Sequence, residues 1–322
     1  MRSRLVMILA LVLAATAVAV TGTRLERSSS PQHAAAVHAS LAPTLASYLG
    51  VFEPGAPPGY SAIASFAQAV GRQPNLVGYY SGWAEPFDTS FAEMLRKHGV
   101  TPFVQIDPTD ASVAAIAAGT YDEYLRSYAD SVRDFGHHAV VIGFGHEMNA
   151  NWYTWGYKHV PAATFVAAWR HIVTLFRQEG ADNVTWLWTL QADDSKTGPA
   201  ASWWPGAQYV NWVGIDGYYT QPSDTFASVF GKTITQVRTF TSLPILLSET
   251  AVAPSAVPFV KIPNLFQGIA AYNTLGLVWF DKDQQGDPGT SGQDWRIEDN
   301  EQAKIAFGLS LSQYLTSYPP AG

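Results

Sequence analysis

Two glutamates in this 322-residue chain follow short apolar runs: Glu147 in Val141-Ile-Gly-Phe-Gly-His-Glu-Met-Asn149, and Glu249 in Pro244-Ile-Leu-Leu-Ser-Glu249. Runs of that length and character form fully buried strands. Two carboxylates presented from separate strand ends suit hydrolysis of a glycosidic bond, in which one carboxyl group protonates the leaving oxygen and another attacks or activates water. A gap of about 5–5.5 Å would give retention of configuration and about 6.5–9.5 Å inversion; the sequence pattern leaves both open. Division of labour also requires one carboxyl to hold its proton, through burial or through its neighbour's charge. The chain carries 11 Trp and 15 Tyr, whose faces stack on sugar C–H surfaces and whose N–H and O–H groups add polar contacts. Most of them are expected to fill the core.

The elements that must position these groups show a regular rhythm. Apolar runs of strand length recur at Tyr48–Phe52, Leu76–Tyr80, Pro102–Ile106, Ala139–Phe144, Val184–Leu190, Val210–Ile215, Ile245–Leu247 and Gly276–Phe280. Between them, Ser90–His98, Tyr121–Phe135, Ala162–Glu179, Thr225–Thr239 and Lys261–Asn273 carry apolar residues at helical spacing. Alternating strands and helices imply a parallel sheet, and eight such units predict a (β/α)8 TIM barrel forming a single catalytic domain. An open doubly wound sheet is the structural alternative, but no Gly-rich phosphate loop follows the first strand. A barrel places its active site at the C-terminal mouth. The strand ends there read Glu53, Trp83, Asp107, His146 with Glu147, Gln191, Asp216 with Tyr218, Glu249, and Trp279 with Asp281. Core packing gives no reason for so many acidic, aromatic and hydrogen-bonding residues.

The segment His146-Glu147-Met148-Asn149, followed by Trp152-Tyr153 and Trp155-Gly156, resembles the acid/base segment of glycoside hydrolase family 26, retaining β-mannanases and relatives with the (β/α)8 fold. The resemblance continues through Val184-Thr-Trp-Leu-Trp188, Val213-Gly-Ile-Asp-Gly-Tyr218, Leu246-Leu-Ser-Glu249, Gly276-Leu-Val-Trp279 and Asp294-Trp295-Arg296. It implies Glu147 as general acid/base and Glu249 as nucleophile. It implies His146 near the C2 hydroxyl, Tyr218 as a donor to Glu249, Trp279 as a stacking floor under the attacked sugar, and Trp152 on the leaving-group side. Asp216, Trp83, Trp155 and Trp295 complete the candidate substrate contacts. Two departures stand out: Gly143 where the family often has arginine, and Thr189-Leu190-Gln191 where Ser-Pro-Asn is common. The implied activity is endo-cleavage of a β-1,4-mannan-type polysaccharide. A β-glucanase acting on β-glucan or a self-made exopolysaccharide, or a barrel that binds carbohydrate without turnover, are the alternatives.

Composition sets the outer limits. With 47% hydrophobic and 14% charged residues the chain has ample material for a core, and a net charge of -7 argues against a nucleic-acid partner. The expected partner is a polysaccharide or oligosaccharide. No cofactor or metal is expected: there is no cysteine and no His-Glu-x-x-His pattern, and the acidic loop Asp281-x-Asp283…Asp287 reads as solvated rather than cation-binding. Arg2 and Arg4 precede a continuous apolar run, Leu5 to Val20, with Ala17-Val18-Ala19 as a small-residue cleavage site. Residues 1–23 are therefore expected to be a signal peptide or N-terminal anchor, residues 24–44 a flexible spacer, and residues 45–318 the hydrolase domain. Export implies a secreted or cell-surface protein, with membrane attachment only if the first segment stays uncleaved.

Overall fold

The computed structural model describes residues 41–287, 290 and 292–314. The expected signal or anchor segment and residues 24–40 of the expected spacer lie outside the described residues, as do residues 315–318 of the expected domain. No helix among the described residues is long and apolar enough to cross a membrane.

Eight parallel strands close into a barrel in sequence order. They are β1 (Tyr48–Phe52), β2 (Leu76–Gly82), β3 (Thr101–Asp107), β4 (Val140–Phe144), β5 (Val184–Gln191), β6 (Trp212–Asp216), β7 (Ile245–Thr250) and β8 (Gly276–Phe280). The helices between them are α1 (Ser61–Val70), α2 (Thr89–Lys97), α3 (Val113–Ala117), α4 (Asp122–Asp134), α5 (Ala162–Gln178), α6 (Lys232–Val237), α7 (Pro258–Ala271) and α8 (Glu301–Tyr314). The expected (β/α)8 architecture forms, and the β1 and β8 boundaries match the sequence reading. Three helices went unread in the sequence: α1, α3 and α8.

Strand alternation sorts the side chains into two sets. Leu49, Val51, Val77, Val104, Ile142, Trp186, Leu247 and Trp279 face outward and pack with helix residues such as Phe66, Leu95, Leu125, Trp169 and Phe266. The inward set begins with an apolar floor of one residue per strand: Tyr48, Leu76, Phe103, Val141, Leu187, Trp212, Leu246 and Val278. Leu41, from the expected spacer, packs against this floor. Burying each large apolar side chain contributes roughly 1.5–3 kcal/mol.

Above the floor lies a polar layer. Gln105 of β3 donates to Thr189 of β5 at 3.0 Å, and Ser248 of β7 donates to Asp216 of β6 at 2.6 Å. Two glycines make room for it. A Cβ at Gly143 would sit 1.8 Å from Gln105 Oε1, and one at Gly214 would lie 2.5 Å from Ser248 Oγ. The position where the resembling family often has arginine is thus a gap filled by a glutamine from the neighbouring strand.

Candidate active site

Glu147 stands three residues beyond β4, on a turn pinned from both sides. Gly145 N donates to Ile106 O at 2.9 Å, and Glu147 N donates to Thr189 O at 3.0 Å. Trp155 Nε1 donates to His146 O at 2.9 Å. Asn149 clamps the turn to β5, its Nδ2 donating to Gln191 O and its Oδ1 accepting from Gln191 N, each at 2.9 Å. Glu147 itself has φ 53°, a left-handed backbone that costs a non-glycine residue roughly 1–2 kcal/mol. Such strain persists only where the surroundings over-determine it.

Glu249 reaches the mouth by a different device. Pairing between β6 and β7 shifts from Gly214↔Leu246 to Asp216↔Glu249, and pairing between β7 and β8 shifts from Leu247↔Leu277 to Thr250↔Trp279. Both shifts mark one extra residue in β7, a bulge of the kind that re-aims a side chain. Strict alternation would send Ser248 and Glu249 to opposite faces. With the bulge, Ser248 bonds Asp216 inside the barrel while Glu249 accepts from Tyr80 Oη–H at Oε1 and from Tyr218 Oη–H at Oε2, 2.5 Å.

Glu147, Asp216 and Glu249 converge, each with a carboxylate oxygen within 4.8 Å of the others. All three are buried. Their surroundings differ. Burial pushes the Glu147 carboxyl up to about 7; the Glu249 charge adds to this, while His146 and the 2.7 Å hydrogen bond from Trp152 Nε1–H oppose it. Asp216 is driven well up by burial and by the charges of Glu249 and Glu147. Glu249 instead carries two phenolic donors, which support negative charge there. Burial and the Glu249 charge also raise both phenols well above their ordinary range, so they remain protonated donors.

His146 is buried beneath this group. Burial alone would lower its imidazole, but the Asp107 charge and hydrogen bond, helped by Glu147 and Glu249, hold it up at about 10. Its Nδ1 bonds Asp107 Oδ1 at 2.8 Å and its Nε2 meets Tyr153 Oη at 3.1 Å. Tyr153 stacks on Trp155, with ring centres 4.3 Å apart.

The structure brings together Glu147, Glu249, His146, Trp152, Asp216 and Tyr218, and holds Trp155 and Trp295 behind them. Trp295 is buried, with its ring 4.9 Å from that of Tyr218. Trp152 is 41% exposed, a free face beside Glu147. One expectation is corrected. Trp279 is 1% exposed, packs edge-on against Phe307 of α8 and donates to Trp295 O at 3.1 Å. It points out of the barrel, because inward-facing Val278 fixes the parity of β8; Phe280 takes the inward place, stacked on Phe52 at 4.9 Å. Trp83 is partly buried and packs among Tyr121, Tyr124 and Phe144. Tyr80 is the residue that the sequence reading missed. Alternation from Leu76 through Gly78 would have found it.

Residues 106–286 match the model of glycosyl hydrolase family 26. The chain is 27% identical over 270 residues to Endoglucanase H of Acetivibrio thermocellus, covering 79% of this chain and 29% of that protein. It is 28% identical over 111 residues to mannan endo-1,4-beta-mannosidase A and B of Caldalkalibacillus mannanilyticus, covering 32% of this chain and 21% of that protein. The chain thus spans less than a third of the length of the curated relatives it matches. Among solved structures, the backbone resembles the YdhT protein from Bacillus subtilis (TM-score 0.62, 17% identity, covering 82% of this chain and 85% of that one). It also resembles Bacillus subtilis mannanase man26 (TM-score 0.61, 16% identity, covering 83% and 87%). At these identities the structural likeness speaks for the fold.

Proposed function

The chain belongs to glycosyl hydrolase family 26, and on that premise we propose that it is a retaining, endo-acting β-glycoside hydrolase cleaving a β-1,4-mannan-type polysaccharide. One observation carries the mechanism: carboxylate oxygens of Glu147 and Glu249 within 4.8 Å. So close an approach supports direct attack at the anomeric carbon, in keeping with the retaining chemistry of the family.

In the first step a Glu249 oxygen bonds to the anomeric carbon as the bond to the leaving oxygen breaks, and Glu147 transfers its proton to that oxygen. Trp152 N–H then faces the Glu147 carboxylate so formed. Esterification removes the Glu249 charge, and with it one of the causes that raise Glu147. Glu147 is thereby turned from acid to base between the two steps. It next takes a proton from water, whose oxygen attacks the anomeric carbon and releases Glu249. Trp152 offers a stacking face on the leaving-group side.

β-Glucan is the second reading, favoured by the match to Endoglucanase H, which extends over 79% of the chain. We further propose that residues 45–318 act as the catalytic domain of a secreted or cell-surface protein. The apolar run from Leu5 to Val20 supports export. A product assay over mannan, mixed-linkage glucan, cellulose and xylan, with Glu249→Ala as control, tests the function. Oligosaccharides released from mannan are expected. Product from glucan alone would reverse the substrate reading, and binding without product from any polymer would overturn the catalytic one.

A further inference from the structure

Away from the catalytic carboxylates, a second acidic group closes the seam between the first and last strands. Glu53 directly follows β1, Asp281 directly follows β8, and Glu298 lies in the segment entering α8. The first two are brought side by side by β1–β8 pairing, which ends at Phe52↔Phe280 and continues as Asp281 N donating to Phe52 O at 3.0 Å. Each of the three offers a carboxylate oxygen within 4.8 Å of the others. Asp281, read in the sequence as part of a solvated loop, is 2% exposed, and its Oδ1 accepts from Ile297 N at 2.7 Å.

Glu53 supplies the observation that a solvated or structural cluster does not explain. Its side chain is 6% exposed, and its Oε1 is buried with no hydrogen-bond partner. The cations nearest along the chain are committed elsewhere: Lys282 to Asp287 at 2.8 Å, Arg296 to Asp294 at 2.7 Å, and Lys304 to Glu301 at 2.5 Å.

We propose that Glu53, Asp281 and Glu298 bind one hard divalent cation, of the calcium class, which ties the β1–β8 seam to the segment that enters α8. The donors are all oxygen, the set that calcium prefers and zinc does not. Calcium–oxygen bonds of about 2.3–2.6 Å allow two ligand oxygens to stand about 5 Å apart, which the cluster satisfies. Glu298 is reached from solvent, lining a surface hollow of about 550 Å³ together with Ser65, Gln68, Glu301 and Lys304. The tethered segment carries Trp295, whose ring flanks Tyr218. The cation therefore braces the wall behind one of the two donors to Glu249.

The test uses the full chain, stripped with EGTA and desalted, then titrated with CaCl2 and followed by calorimetry and thermal unfolding. One calcium per chain is expected, with Tm raised by about 5 °C or more at a hundredfold excess over Kd. Glu298→Gln should weaken binding tenfold or more, and Asp281→Asn should abolish it. Glu298 is only half-buried, so its variant keeps the test decisive where Asp281→Asn fails to fold. The proposal is overturned if calcium up to about 10 mM gives neither heat nor a Tm shift, or if Glu298→Gln responds as the unaltered chain does. A Glu53→Gln variant that is more stable without calcium, in a chain that calcium does not stabilise, would assign the cluster to shared protons instead. None of these readings depends on catalysis.

Discussion

Trp152→Phe isolates the hydrogen bond that holds down the acidity of Glu147. Glu147 serves as acid only while protonated, and burial has pushed its carboxyl up to about 7. The rate of the first step should therefore fall as pH rises through about 7. Trp152 Nε1–H, at 2.7 Å from Glu147 Oε2, favours the ionised carboxylate and so works against the upward push. Phenylalanine keeps an aromatic face and removes the donor. A hydrogen bond to a charged group contributes about 1.5–3 kcal/mol, and one pKa unit corresponds to about 1.4 kcal/mol. The indole is 41% exposed, so water replaces part of the lost bond, leaving a rise of roughly half to one unit. The alkaline limb of kcat/KM, measured on a soluble polysaccharide, should move upward by that amount whatever happens to the absolute rate. An unmoved limb, or one displaced to lower pH, would refute the part given to the Trp152 hydrogen bond in setting the acidity of Glu147.

Tyr80→Phe leaves one oxygen of Glu249 without its phenol; kcat/KM should fall about tenfold or more, read by initial rates. Gly143→Ala drives a methyl group against Gln105 Oε1 and should cost about 1–3 kcal/mol in denaturant unfolding. Adding Gln105→Ala should recover most of that loss in a double-mutant cycle. His146 is raised from its ordinary 6.5 to about 10, so its contribution to stability is full below about 6.5 and is lost as pH rises through about 10. Tm of the unaltered chain should decline across that window more steeply than that of Asp107→Asn, which has already lost the pairing.

The barrel was legible because eight buried strands leave eight apolar runs, and because chemistry gathers at their ends. Glu147, Glu249, His146 and Tyr218 could be read from those ends. Facing directions could not be read so simply. Trp279 and Phe280 are neighbouring aromatics, and only the inward Val278 before them decides which enters the barrel. The pair Tyr79-Tyr80 hid the same choice in β2. α8 was unreadable for a different reason: it buries Phe307 and Leu311 with Ala303, Ala306 and Ser310 while exposing Ile305 and Leu309, so its apolar residues lie on both faces and blur the pattern that marks an amphipathic helix. The bulge in β7 left no trace in composition at all.

That bulge separates the identity of Glu249 from its aim. Pairing β7 as an unbroken strand, with the same residues and no bulge, would keep every named side chain yet turn the glutamate outward and away from the sugar. Losing the bulge is therefore a silent way for a barrel of this kind to retire from hydrolysis while its sequence still looks competent. The pairing of the seventh strand, and not the glutamate alone, has to be checked before a relative inherits a catalytic label.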